Sequence, residues 1–258
     1  MRYAYFPGCT LGSSGSDYHL SFTYVARVLG IELIEVRDWV CCGATVAFST
    51  SRLMSLALPA LNLSHAETDG FHKLIAPCPA CLSRFKAVRL ELEHDPETRS
   101  KMDQILDGAY QGTVTVHHPL EVFLDIGLER IRDKVKKKLS GLKIACYYGC
   151  LLTRPPKTAQ FDRTENPQSL DALVKALGAH PVEWAFKTEC CGAAMTLTRS
   201  DIVHKLSNDI LREAKEAGAD ALAVACPLCQ MNLDGRQRQI EEIYGVRYQL
   251  PVLYFTQW

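Results

Sequence analysis

The chain has 258 residues, of which 47% are hydrophobic, and its 29 basic side chains balance its 29 acidic ones. That length suits one large or two small domains. The balanced charge argues against a nucleic-acid footprint, and no stretch reaches the roughly 18 apolar residues of a membrane span. The start MRYAYFPGC lacks the basic region and long apolar run of a signal peptide, so a soluble, cytoplasmic protein is expected.

In chain order, YAYF (3–6) alternates as a short strand ending at Cys9. SDYHLSFTYVARVLG (16–30) has a serine start, helical apolar spacing and a terminal glycine, which predict a helix. IELIEV (31–36) reads as a strand and leads into DWVCCGA. A helix follows through 51–63, where Pro59 is expected to bend or split it. KLIA (73–76) is a third strand, and PCPAC opens the next helix. A proline-started helix is predicted at 119–126, directly after His117 and His118. ERIRDKVKKKLSGLK (129–143) is a basic run that predicts a solvated helix face, with docking to an acidic partner or anionic lipid as a minor reading.

The same order then recurs. LKIACYY (142–148) is a strand, SLDALVKALG (169–178) a helix and PVEW (181–184) a strand. Residues 201–218 form an amphipathic helix, ALAVA (221–225) a strand, and CPLCQMNLDGRQRQIEEIY begins a helix. Each half is therefore β-α-β-α-β-α with short connections, which predicts α/β architecture: two pseudo-symmetric repeats, each a small parallel sheet covered by helices. The expected organisation is a first repeat with its connecting segment over 1–128, a basic linker over 129–141 and a second repeat over 142–258.

The eleven cysteines follow this duplication. Cys9, the pair Cys41-Cys42 and Cys78-x-x-Cys81 are answered by Cys150, Cys190-Cys191 and Cys226-x-x-Cys229. The gaps are 31 against 39 residues before the pair, and 35 against 34 after it. Flanking residues agree as well: YFPGCTL with YYGCLL, DWVCCGA with KTECCGA, and LIAPCPAC with AVACPLC. Every one of these ten cysteines falls at or just beyond the carboxyl end of a predicted strand, the ligand-binding edge of an open α/β sheet. The helices after C-C-G and C-x-x-C aim their N-termini there, which favours thiolates and anionic groups. The two units are expected to turn these edges toward a shared cleft about a local two-fold.

Disulfides persist poorly in a reducing compartment, so metal or cluster ligation is the better reading of so many cysteines. Zinc takes four ligands in a tetrahedron, whereas each set has five, one more than zinc or a simple cubane uses. Adjacent thiolates are better placed to serve different irons than to chelate one ion, which favours an iron–sulfur assembly. Cys146, outside both sets, lies on the apolar side of a predicted strand and reads as core.

Taken together, YFPGCTL, DWVCCGA, YYGCLLTRPP, KTECCGA and ACPLCQMNLD resemble the duplicated cysteine-rich (CCG) domain of the heterodisulfide reductase B-subunit family. That family includes related subunits of succinate and fumarate reductase complexes. The resemblance spans nearly the whole chain and implies two noncubane [4Fe-4S] clusters, one on Cys9, Cys41, Cys42, Cys78 and Cys81. The other would rest on Cys150, Cys190, Cys191, Cys226 and Cys229. It implies an oxidoreductase subunit that takes electrons from a ferredoxin-like iron–sulfur subunit and a flavoprotein subunit, and reduces or forms a small-molecule disulfide. Membrane contact would come only through partners.

Two other functions compete: a quinone-linked electron-transfer subunit of a succinate or fumarate reductase, and a metal-stabilised scaffold without turnover. No C-x-x-C outside the two sets remains for thiol exchange, and no G-x-G-x-x-G marks a dinucleotide site. His117 and His118 are read as structural, with proton donation to a leaving thiolate as the sharper alternative. Arg154 and Lys187 are candidates to attract an anionic substrate or offset cluster charge, against a solvated surface role.

Overall fold

A computed structural model describes all 258 residues, the side chain of Val46 excepted. Eight strands form two four-stranded parallel sheets. In the first, β1 (Arg2–Tyr5) lies between β2 (Glu32–Glu35) and β3 (Lys73–Ile75), and β4 (Thr115–His117) completes the edge beside β3. The second repeats the order, with β5 (Lys143–Tyr147) between β6 (His180–Pro181) and β7 (Ala221–Val224), and β8 (Val252–Tyr254) outside β7. Parallel pairing needs crossover connections, and the intervening helices supply them. Because helices cover the central strands, β7 is buried at all four residues, as its unbroken apolar run ALAV requires.

The predicted helices stand at Ser16–Val28, Arg52–Thr68, Pro79–His94, Pro119–Ile126, Ser169–Ala176 and Ser200–Glu216. Ser51 caps Arg52–Thr68 by accepting from the Met54 amide, and the helix runs on through Pro59. Four features depart from the expectations. The fourth strand of each sheet adds an element to each repeat. PVEW leaves the ladder early: Val182 still donates to Ile144 O, but Trp184 then turns its indole N–H onto Cys146 O at 3.1 Å. The helix after Cys226 is broken into Pro227–Gln230, a π-turn at Met231–Gly235 and Gln237–Tyr244. Finally, the basic run is helical only over Leu128–Arg132. It then turns across the junction, where Arg130 donates to Leu29 O and the Leu139 amide to Leu177 O, so it ties both repeats together.

Aromatic rings form the seam between the repeats. Tyr18 stacks on Tyr254 with centroids 4.4 Å apart, Phe123 meets Phe255 edge-on at 5.7 Å, and Ser21 bonds Thr256 at 2.6 Å. Both carboxyl edges are thereby brought to a common centre.

Candidate metal centres

Each cysteine loop begins where a strand runs out of partners. Past Ile75 the chain turns through Cys78, and Pro79 starts a helix that needs no amide there, so the Cys81 side chain sits in its first turn. Pro227 does the same after β7 and places Cys229. Close backbone approach is built in at Gly149, whose φ is +69°; a Cβ there would stand 3.0 Å from Cys229 Sγ. Its counterpart Gly8 approaches Cys81 in the same way, with 3.4 Å between the corresponding atoms.

The ten thiols gather in two groups of five that meet at the junction of the repeats; Cys150, for one, senses the charges of Cys190, Cys226 and Cys191 together. The charge of Cys9 reaches Cys41, which meets Cys42. Cys42 lies 3.0 Å from Cys81, which meets Cys78. Cys78 meets Cys226, across the junction of the repeats. From there the order reverses: Cys226 to Cys229, then Cys191 at 3.5 Å, beside Cys190, which meets Cys150. Cys9, Cys41 and Cys190 are exposed and Cys150 is half-buried, while the other six of these cysteines are buried.

Sulfur–sulfur contacts spread the thiol pKa values apart. Contacts with Cys41 and Cys81 bring the Cys42 thiol down to about 4, and the contact with Cys150 brings Cys190 to about 6. Cys229 lowers Cys191, and Cys226 with Cys81 lowers Cys78. Cys41, Cys81, Cys150 and Cys229 are raised, first by these contacts and then by burial. Cys226 is raised too: its contact with Cys229 opposes this, but its contact with Cys78 and burial prevail. Backbone amides assist, since Gly43 N and Gly192 N point at the sulfurs of Cys41 and Cys190 at 3.4 and 3.3 Å. Among the described residues no three His, Cys, Asp or Glu side chains converge on a point fit for one metal ion. Each half gathers five thiols, one more than a mononuclear tetrahedron takes.

The other sequence candidates separate clearly. His118 is fully buried at the centre, between the C-x-x-C turns. Its Nδ1 accepts from the Leu120 amide, so Nε2 carries the proton, shared between Pro77 O at 2.9 Å and Ala225 O at 3.1 Å. Those carbonyls belong to the residues immediately before Cys78 and Cys226. Burial holds its pKa at about 4, so it is a neutral clamp on the two carbonyls, as the structural reading of the sequence expects. His117 bonds Thr115 Oγ1 and faces Glu121, which Lys86 also engages at 2.9 Å; no thiol is among its partners.

The structure overturns the solvated reading of Lys187 and its access to a substrate. Only 2% of its side chain is exposed, and Nζ is held by Asp171 at 2.7 Å and Pro167 O. Asp171 in turn accepts from Tyr148 Oη at 2.7 Å, and Lys187 O receives the Tyr148 and Gly149 amides. The pair thus fixes the Cys150 turn against the approach to Cys190. Cys146 is buried beside it, its thiol raised by burial and by the Asp171 charge. Arg154 is paired with Glu165 and with Thr188 O and Oγ1, close enough to Cys150 to sense its charge.

Asn232 went unnoticed in the sequence. Fully buried in the π-turn, its amide donates to Cys191 O and lies 3.6 Å from Cys191 Sγ. The turn itself presents that side chain, as such irregularities often do at functional sites.

Comparison with known proteins gives the arrangement its family. The model of the CCG cysteine-rich domain matches twice, over residues 3–86 and 144–234. The chain belongs to the CCG cysteine-rich domain family. It is 34% identical to the 8-methylmenaquinol:fumarate reductase membrane anchor subunit of Wolinella succinogenes, over 99% of this chain and 90% of that one. It is 29% identical to the B subunit of the ferredoxin/F420H2-dependent CoB-CoM heterodisulfide reductase of Methanosarcina acetivorans, over 98% and 86%. A solved structure of a hypothetical protein from Helicobacter pylori shares the fold, with a TM-score of 0.78 at 13% identity. That match covers 99% of this chain but only 47% of the solved one. The named CCG relatives are thus subunits of reductase complexes.

Proposed function

We propose that this protein is an iron–sulfur electron-transfer subunit of a multi-subunit oxidoreductase, with one noncubane [4Fe-4S] cluster on each five-cysteine set. The observation that carries this reading is the gathering of ten thiols into two groups of five that meet at Cys78 and Cys226. The donor set fits such groups. Thiolates are the ligands clusters take, four of the sulfurs are already lowered toward that state, and Cys78, Cys81, Cys226 and Cys229 lie at helix starts past β3 and β7. When bound, the clusters supply one-electron steps, and two of them side by side match a two-electron acceptor.

The chain's own residues then do the positioning. Pro79 and Pro227 start the helices that carry Cys81 and Cys229. His118 ties the two central turns to each other, and Lys187 with Asp171 holds the second set. Arg154, paired with Glu165, ties the Cys150 loop to Thr188 on the approach to Cys190. The substrate we favour is a small disulfide: its S–S bond breaks as two electrons and two protons enter, giving two thiols. Electrons would come from a ferredoxin-like subunit and ultimately a flavoprotein subunit. No helix of the described residues is long and apolar enough to cross a membrane, which favours a peripheral or cytoplasmic placement within such a complex.

Similarity to the Wolinella protein favours a second reading, a quinol-linked place in a fumarate reductase. A direct competition separates the two. The reduced protein, isolated with its companion subunits, is offered small disulfides and quinone analogues under anaerobic conditions. Stoichiometric thiol release supports the first reading; quinone reduction without thiol release supports the second.

A further inference from the structure

Helix Ser16–Val28 is apolar on two opposite faces. Tyr18, Phe22 and Ala26 enter the core, yet Leu20, Tyr24 and Val28 recur every four residues on the outer side, 65, 56 and 42% exposed. A helix apolar on both sides is normally covered on both. The outer stripe runs into a cavity of about 300 Å³ at the junction of the repeats, where Tyr24 and Val28 form one wall and Phe255 and Trp258 help line it. That volume is at the small end of the range of ligand pockets. The indole N–H of Trp258 is buried with no acceptor among the described residues.

Charge singles out the occupant. The rim is Lys134, Lys136 and Lys137, all exposed and without an ion pair among the described residues. An apolar helical stripe beside a basic cluster, with tyrosine and tryptophan at the boundary, is the composition of a surface that rests in the headgroup region of a bilayer. An acidic protein partner would explain the lysines but not an apolar cavity beneath them.

We infer that this face docks on an anionic lipid bilayer, with Leu20, Tyr24 and Val28 entering the interface and the lysines on lipid phosphates. A lipid chain enters the cavity. The inference stands on residues remote from the cysteines and is independent of the proposed redox chemistry.

The test uses the chain purified with the subunits that accompany it, in sedimentation with phosphatidylcholine vesicles and with vesicles containing phosphatidylglycerol. The complex should bind only the anionic vesicles and release them as salt is raised. Combining Lys134→Gln, Lys136→Gln and Lys137→Gln should weaken binding on the order of 100-fold. Leu20→Ser with Tyr24→Ser should also weaken it, and iron content and subunit composition should stay unchanged in both variants. Failure to bind anionic vesicles, or equal binding by the lysine variant, overturns the inference. So does loss of a companion subunit from either variant, which would make this face a protein interface. Iron content reports separately on the cluster assignment, so the two readings fail independently.

Discussion

Protonating His118 would require its Nδ1 to give up the Leu120 amide and a charge to sit in a fully buried site. Its folded pKa of about 4 lies below the ordinary 6.5, so between these values the unfolded chain holds the extra proton. The associated stability is fully present above pH 6.5 and is lost as pH falls toward 4, by about 3 kcal/mol. Denaturation of wild type and His118→Gln at pH 7 and pH 4 checks this. The variant should show a pH-dependent loss smaller by about that amount; equal slopes would remove His118 from the centre. A second residue-scale expectation concerns Lys187. Replacing it by methionine leaves the Asp171 carboxylate buried without its cation, a change that costs about 3–5 kcal/mol. Lys187→Met should therefore lower the unfolding midpoint strongly, and removing Asp171 as well (Asp171→Leu) should restore part of it. The sequence put all ten matched cysteines at or just past strand ends, whereas Cys190 stands nine residues beyond Pro181, the end of β6. It also misjudged the exposure of Lys187, because its partner lies 16 residues away on a helix and local composition says nothing of that pairing.

At the scale of elements, β4 and β8 were missed for a common reason. Each has three residues, too few for alternation to register, and each is specified by pairing with β3 or β7 instead of by its own pattern. The longer helices were legible because their apolar faces repeat over several turns. The π-turn was not, since its five residues differ from a helix only in which carbonyl each amide reaches. The glycine turns give a sharp test. Gly149→Ala forces a Cβ against Cys229 Sγ in addition to the strain of its positive φ, and should reduce the iron held by the second repeat. Gly108→Ala, at a similar φ of +68° but with open space around it, should cost only about 1 kcal/mol and leave iron unchanged. Equal iron in both variants would mean that the Gly149 approach does not shape the site.

For the whole molecule, duplication predicted two equivalent units with their cysteine-bearing edges facing each other, but not the contacts through which they meet. No residue pattern within one repeat encodes its distance from the other. The meeting is made by the Tyr18–Tyr254 stack, the Phe123–Phe255 contact and His118, side chains that read individually as ordinary core. The symmetry is also imperfect: the buried Lys187–Asp171 pair stands only beside the second set, and Asn232, three residues after Cys229, is answered by Arg84 three residues after Cys81. Two clusters in these unlike surroundings would therefore have different potentials, and a reductive titration should show two steps. Single cysteine replacements carry the assignment further. Cys146→Ser should leave the iron content untouched, because that thiol is packed beside Asp171 and belongs to neither set. The decisive measurement is iron and acid-labile sulfide per chain in wild type, Cys42→Ser and Cys191→Ser, read beside the spectrum of the reduced clusters. The account predicts two clusters in wild type, with each replacement losing or altering only the cluster of its own repeat. Zinc without sulfide, or loss of iron from both repeats after Cys42→Ser, would contradict it.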